Sequence, residues 1–162
     1  MKVPPGVVGV VQSIDGEDDA ETKQLREMAE EAGRYLDSHR WCRAVRQMLF
    51  GLGVGGVVAV FLAQIDAEPP VVEWLWVIVG DLPPAYLVLD EAKTPEEALE
   101  GYCDLMSEWV DAVRGDGNLE EVFPVAALPD GKHAAMLTTR VALLREVVLP
   151  QVRGGSSPSG QR

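Results

Sequence analysis

Two histidines, two cysteines and a surplus of carboxylates are the side chains of this 162-residue chain that could carry acid–base, nucleophilic or metal chemistry. Such chemistry needs several of these groups converging on one concave site. His39 and His133 fall in different segments, and neither stands in a ligand spacing such as H-x-x-x-H. Each reads as a surface or helix-end imidazole. His133, in the first turn of its helix, is poorly placed for the dipole if it is charged. Cys42 and Cys103 are far apart and form no C-x-x-C pair, so they read as reduced thiols. P-loop, G-x-S-x-G and kinase signatures are absent. No metal and no cofactor is expected.

Among the carboxylates, Asp81 stands out because it follows an apolar run at Gly80 and precedes Pro83-Pro84. At such a rigid corner it would serve either as a polar group at the mouth of a cleft or as a residue bonded to its own turn. Tyr86, just beyond, is the aromatic candidate beside it. Asp90, Glu91, Glu96, Glu97 and Glu100 form an acidic ridge at a helix start, part of which the helix dipole explains. Arg34, Arg40, Arg43 and Arg46 form the chain's basic cluster. They could hold a phosphate or carboxylate, but they also read as the exposed face of a helix, and in so acidic a chain they are expected to pair with its own carboxylates. Gly51 to Gly56 contains a formal G-x-G-x-x-G. A dinucleotide fingerprint needs these glycines between strand and helix, and here the order reads helix then strand, so a helix end and turn are expected instead.

Charge narrows the partners. Between Asp66 and Glu121 stand 15 acidic and two basic residues, a balance of −13 against a whole-chain charge of −12. Nucleic acid is an unsuitable ligand for such a surface, whereas a basic protein would be steered towards it. The longest uncharged apolar run, Met48 to Ala63, has 16 residues and four glycines. A membrane span needs about 20 apolar residues, so no membrane segment is expected and the compartment reads as cytoplasmic.

The elements that must position these groups follow from periodicity. Leu25, Met28, Ala29, Ala32 and Leu36 recur at three- and four-residue intervals, with Asp18 or Asp19 as cap. Trp41, Val45, Met48, Leu49 and Leu52 extend that spacing, either as a continuation or after a break near Ser38, which predicts one or two helices over about 19–50. Strands are predicted at about 57–65, 73–79 and 85–89, joined closely enough to form an antiparallel meander. Period-two alternation makes both faces of the middle strand apolar, so it is expected to be central and covered on both sides. Thr94-Pro95-Glu96-Glu97 is a capping box opening a helix over about 95–114. A last helix is expected over about 131–149, stopped by Pro150. The whole reads as a single α+β domain over 18–150, with a flexible leader before it (1–17) and a disordered tail after it (151–162).

The string Trp74-Leu75-Trp76-Val77-Ile78-Val79-Gly80-Asp81-Leu82-Pro83, then Ala85-Tyr86 and Thr94-Pro95-Glu96-Glu97-Ala98 leading to a Trp109 helix, resembles a family of small bacterial proteins known as a domain of unknown function. The likeness covers about residues 55 to 150. It implies a compact α+β domain and brings no catalytic residues with it.

The function expected from these residues is that of a non-enzymatic acidic module that binds a basic protein, such as an immunity or regulatory protein. An alternative is a small-ligand or hydrolytic site at the Gly80–Tyr86 corner. A further alternative is a homo-oligomeric scaffold with the helix from Ala134 to Val148 as its seam.

Overall fold

The computed structural model describes residues 4–68, 71–115 and 117–156. The chain is α+β and divides into two compact units, residues 1–98 and 99–162. Unit 1 holds a five-stranded antiparallel sheet in the order β1 (Gly9–Val10), β2 (Cys42–Val54), β3 (Val58–Ala67), β4 (Val71–Gly80) and β5 (Ala85–Val88). Helix α1 (Asp19–Asp37) lies between β1 and β2 in sequence, and α2 (Pro95–Val113) begins in unit 1. The expected meander is therefore the β3–β4–β5 half of a larger sheet. The two extra strands come from the expected leader and from the second half of the stretch expected as helical over 19–50.

Helix α1 ends at Asp37, and residues 42 to 54 are a strand. The reason is a set of irregularities in β2. Its register against β3 shifts between Cys42 and Ala44, between Val45 and Gln47, and between Phe50 and Leu52. Each shift sets two residues of β2 against one of β3, as a β-bulge does. The residues opposite Ala67, Ile65, Ala63, Phe61 and Ala59 are thus Cys42, Val45, Met48, Phe50 and Gly53. A strand that should alternate every two residues repeats mostly every three, which imitates a helical face. The bulges, with exposed Arg43 and Arg46, also protect the part of β2 that lies beyond the short β1 from pairing with another chain.

One sheet face packs on α1. Its core joins Leu25, Met28, Ala29, Ala32 and Leu36 to Ala59, Phe61, Ala63, Ile65, Leu75, Val77 and Val79. Asp18 is the N-cap of α1, its carboxylate accepting from the Glu21 amide at 2.8 Å. Glu21 in turn accepts from the Gly55 amide at 3.0 Å, fixing the start of the helix on the β2–β3 turn. The glycine run serves close approach. A Cβ on Gly53 would meet Leu25 at 2.7 Å, and one on Gly55 would meet the Gln24 amide oxygen at 2.6 Å. On Gly51, Pro95 would stand at 2.9 Å. These glycines lie in a strand and its hairpin turn, so the dinucleotide arrangement is excluded by the fold itself.

Strand β4 is interior and buried on both faces, as its alternation predicts, although β3 is the middle of the five. Trp76 is fully buried, and its indole N–H donates to the Ala92 carbonyl at 2.9 Å. The capping box is present in a shifted form: Thr94 Oγ1 accepts from the Glu97 amide at 3.1 Å, while the Glu97 carboxylate reaches one residue further back than the N-cap and accepts from the Lys93 amide at 2.8 Å. Replacing Thr94 by alanine is expected to cost about 1 kcal/mol of stability, read as a lower urea midpoint with unchanged slope.

Unit 2 contains most of α2, a 3-10 turn at Leu119–Glu121, and α3 (Gly131–Leu143). A π-helical stretch, Leu144–Val148, carries α3 into α4 (Leu149–Ser156). The helix thus runs through Pro150 instead of stopping before it. A widened turn just before a proline relieves the clash of its ring and absorbs the missing amide donor. The six residues Gln151 to Ser156, expected as tail, are helical, and 157–162 fall outside the described residues. Arg145 donates to Asp104 at 2.8 Å, tying this helix to α2. Ala134, Leu137, Val141, Leu144 and Val148 are buried. The face expected as an oligomer seam is therefore internal. Among the described residues no helix is long and apolar enough to cross a membrane.

Candidate functional site

The sheet in unit 1 has two ends, and the sequence-predicted residues divide between them. At one end, Gly80 has φ +148° and packs against the β2–β3 turn, where a Cβ would stand 2.2 Å from the Val57 carbonyl oxygen. The Asp81 amide donates to that same carbonyl at 3.0 Å, and the Asp81 residue is exposed. The corner is rigid because its backbone is bonded and packed onto the neighbouring turn.

At the other end, β2 begins opposite the end of β3, with the Glu68 amide donating to the Trp41 carbonyl at 3.0 Å. Val88 pairs with Leu75, so the chain leaves β5 at the end where β4 begins. The 3-10 turn Leu89–Glu91 follows, with Asp90 and Glu91 exposed. Asp81 and the pair Asp90–Glu91 therefore stand at opposite ends of β5 rather than in one patch. Glu96 and Glu97 open α2, half-buried and exposed respectively, and Glu97 is engaged in the capping box. Glu100 lies one turn further along the same helix and is half-buried.

Tyr86 stands in a group that the sequence did not reveal. Tyr35 from the last turn of α1, His39 and Trp41 from the turn that follows, and Tyr86 from β5 converge on one another. The His39 ring lies 4.8 Å from Tyr35, 4.8 Å from Trp41 and 5.4 Å from Tyr86, while Trp41 and Tyr86 are 5.0 Å apart. Three of these four contacts are edge-on, the arrangement that ring quadrupoles favour. His39 Nδ1 is 2.8 Å from the Tyr35 carbonyl, which orients the imidazole. All four residues are half-buried, and Tyr35, Trp41 and Tyr86 pack against the edge of the α1 core. Burial, with a contribution from Tyr86, holds the Tyr35 hydroxyl protonated well above the usual phenol range. The local signal was the Tyr35-x-x-x-His39-x-Trp41 spacing at a helix end. Tyr86 lies far along the chain and no spacing connects it.

The arginines do not lie on one helix face, because Arg43 and Arg46 belong to β2. The expected pairing holds for these two: Arg46 meets Asp66 at 2.6 Å and Arg43 approaches Glu68 at 3.9 Å.

The thiols are unsuited to nucleophilic work. Cys42 and Cys103 are both free and buried. Burial first, then Asp37 and Asp66, push the Cys42 thiol above its ordinary range. Burial does the same for Cys103 despite a hydrogen bond from Arg145. The reactive thiolate is disfavoured in both. His133 pairs with its own N-cap: Asp130 accepts from the His133 amide at 2.9 Å and lies 2.7 Å from its Nδ1.

The amide bond first, and the imidazole second, hold the Asp130 carboxyl below the usual carboxylate range. A depressed folded-state value means that this group favours the folded form above its unfolded value and loses the advantage as pH falls through the folded one. Wild type and Asp130→Ala should accordingly differ in melting temperature at neutral pH, and the difference should shrink as the solution is acidified through and below the ordinary carboxylate range. A difference that persists unchanged in acid would contradict this reading.

Among the described residues, no group of three or more His, Cys, Asp or Glu side chains is placed to hold a metal ion. Compared with protein-family models, with characterised proteins and with solved structures, the chain matches none.

Proposed function

We propose that this protein is a non-enzymatic binding module whose exposed acidic residues take a basic protein partner, in the manner of an immunity or regulatory protein. The observation that carries the reading is the state of Asp90 and Glu91. Both are exposed beyond β5, and among the described residues neither has an ion pair, although the chain's −13 segment surrounds them in sequence. Carboxylates left in solvent without counter-charges create a field that raises the encounter rate with a basic surface by one to three orders of magnitude. Spread along a turn and a helix start, they suit a protein surface better than a point ion. The two inert thiols fit a reducing, cytoplasmic setting.

Affinity capture with the immobilised chain, run beside its Asp90→Lys/Glu91→Lys variant, tests the proposal. A stoichiometric partner of high isoelectric point, recovered by wild type and lost by the variant, is the expected result. Equal recovery by both would overturn it. The rival reading, a site at the Gly80–Tyr86 corner, is separated by Asp81→Asn, which would remove an activity while leaving the fold intact.

A further inference from the structure

The last helix, running from Gly131 into α4, is apolar on two sides. Its inner side holds the buried stripe from Ala134 to Val148. At 3.6 residues per turn, Met136, Thr139 and Leu143 point the opposite way, and all three are exposed. Glu146 and Val147, in the π-helical turn, are exposed beyond them. Met136, Leu143 and Val147 are 46%, 38% and 50% exposed, three of the eight large apolar side chains that stay exposed among the described residues. A grouping of this kind on one face marks an interaction surface. We propose that this outer face joins two copies of the chain as an antiparallel helix pair, related by a two-fold axis at Thr139.

The face is complementary to itself. In a two-fold contact, when one residue meets a second, the second also meets the first. With the axis at Thr139, residues equally spaced before and after it face one another. Leu143 then falls on Ala135, Met136 on Ala142, and Val147 on Gly131. Each pair sets a large side chain over a small residue, the condition for close interdigitated packing. Nothing lies within 4 Å of where a Cβ on Gly131 would stand, so that position is open to Val147. Thr139 Oγ1 already donates to the Ala135 carbonyl at 3.2 Å, so covering the hydroxyl at the axis leaves no unbonded donor.

Charge chooses the same register. Lys132 and Glu146 are both exposed and stand equally far to either side of Thr139, so each meets the other's counterpart across the axis. A parallel pair would instead set lysine on lysine and glutamate on glutamate. The remaining Asp, Glu, Lys and Arg residues from Asp130 to Pro150 are Asp130, Arg140 and Arg145. Asp130, which also feels Lys132, is bonded to His133; Arg145 donates to Asp104; Arg140 is half-buried. The helix is thus close to neutral in a chain of −12, and itself adds little repulsion to the contact.

A single helix pair is a small interface, so a reversible dimer with a dissociation constant of roughly 10–100 µM is expected. Sedimentation equilibrium of the full chain tests this at about 150 mM salt, where repulsion between the acidic bodies is screened beyond about 8 Å. Leu143→Glu should weaken the dimer about tenfold or more, by placing two carboxylates in the apolar contact. Lys132→Glu should weaken it on the order of fivefold by setting carboxylate against carboxylate, and Lys132→Glu/Glu146→Lys should restore it. All three positions are exposed, so melting temperatures in dilute solution should stay close to wild type. A chain that stays monomeric up to about 500 µM would overturn the proposal. So would a dimer indifferent to Leu143→Glu, or a double variant no tighter than Lys132→Glu. A monomeric wild type whose melting temperature Leu143→Glu lowers would do the same, because the chain would then cover this face itself.

Discussion

Gly80→Ala should destabilise the protein by about 4 kcal/mol, a large share of the roughly 5–15 kcal/mol that holds a domain folded. Two costs combine. With φ at +148°, the residue occupies a region that L side chains rarely adopt, worth about 1–3 kcal/mol of strain. The added methyl would also stand 2.2 Å from the Val57 oxygen and 2.8 Å from the Val58 Cα. These are backbone atoms that cannot rotate away, and overpacking of this kind costs a further 1–3 kcal/mol or so. Moving them would disturb the bond from the Asp81 amide to Val57 as well. The control is Gly33→Ala, on α1, where a Cβ meets nothing within 4 Å. There alanine should stabilise by about 0.5–1 kcal/mol through helix propensity. Chemical denaturation of the two variants reads both signs. A neutral Gly80→Ala would mean that the corner is looser than its packing implies.

The second large effect is at Trp76. Trp76→Ala should cost about 3–5 kcal/mol, the range for removing a large buried aromatic side chain. Trp76→Phe isolates the indole: most of the volume remains, but the Ala92 carbonyl loses its donor at 2.9 Å. An unsatisfied buried acceptor costs about 1–3 kcal/mol. The link is also architectural, because Ala92 lies just before the capping box that starts α2. Urea midpoints should therefore rank wild type above the phenylalanine variant and that above the alanine variant. A phenylalanine variant as stable as wild type would show that water replaces the indole at Ala92.

Much of unit 1 was legible because its strands are short runs rich in Val, Ile and aromatic residues, set apart by proline pairs at 69–70 and 83–84. Thr94 to Glu97 carries its helix start in the local chemistry. What misled was β2. Its bulges move the α1-facing residues to Cys42, Val45, Met48, Phe50 and Gly53, a spacing that hydrophobic periodicity assigns to a helix. Placing Arg43 and Arg46 on a strand followed from the same correction. The last helix outran its predicted end because the π-helical turn accommodates Pro150, a device with no sequence signature of its own. The candidate residues were legible singly but not as a set. Asp81 and Asp90 are near in sequence yet at opposite ends of β5, while Tyr86 meets rings some fifty residues earlier. Sequence spacing reports neighbours within an element, and only the sheet brings distant elements together.

The central claim is that the acidic surface beyond β5 binds a basic protein. It is tested most directly by the association rate of the captured partner, measured against ionic strength for wild type and for Asp90→Lys/Glu91→Lys. The wild-type rate should fall steeply with added salt, and the variant should start on the order of tenfold slower and be much less sensitive to it. Equal rates with equal salt dependence for the two proteins would contradict the claim.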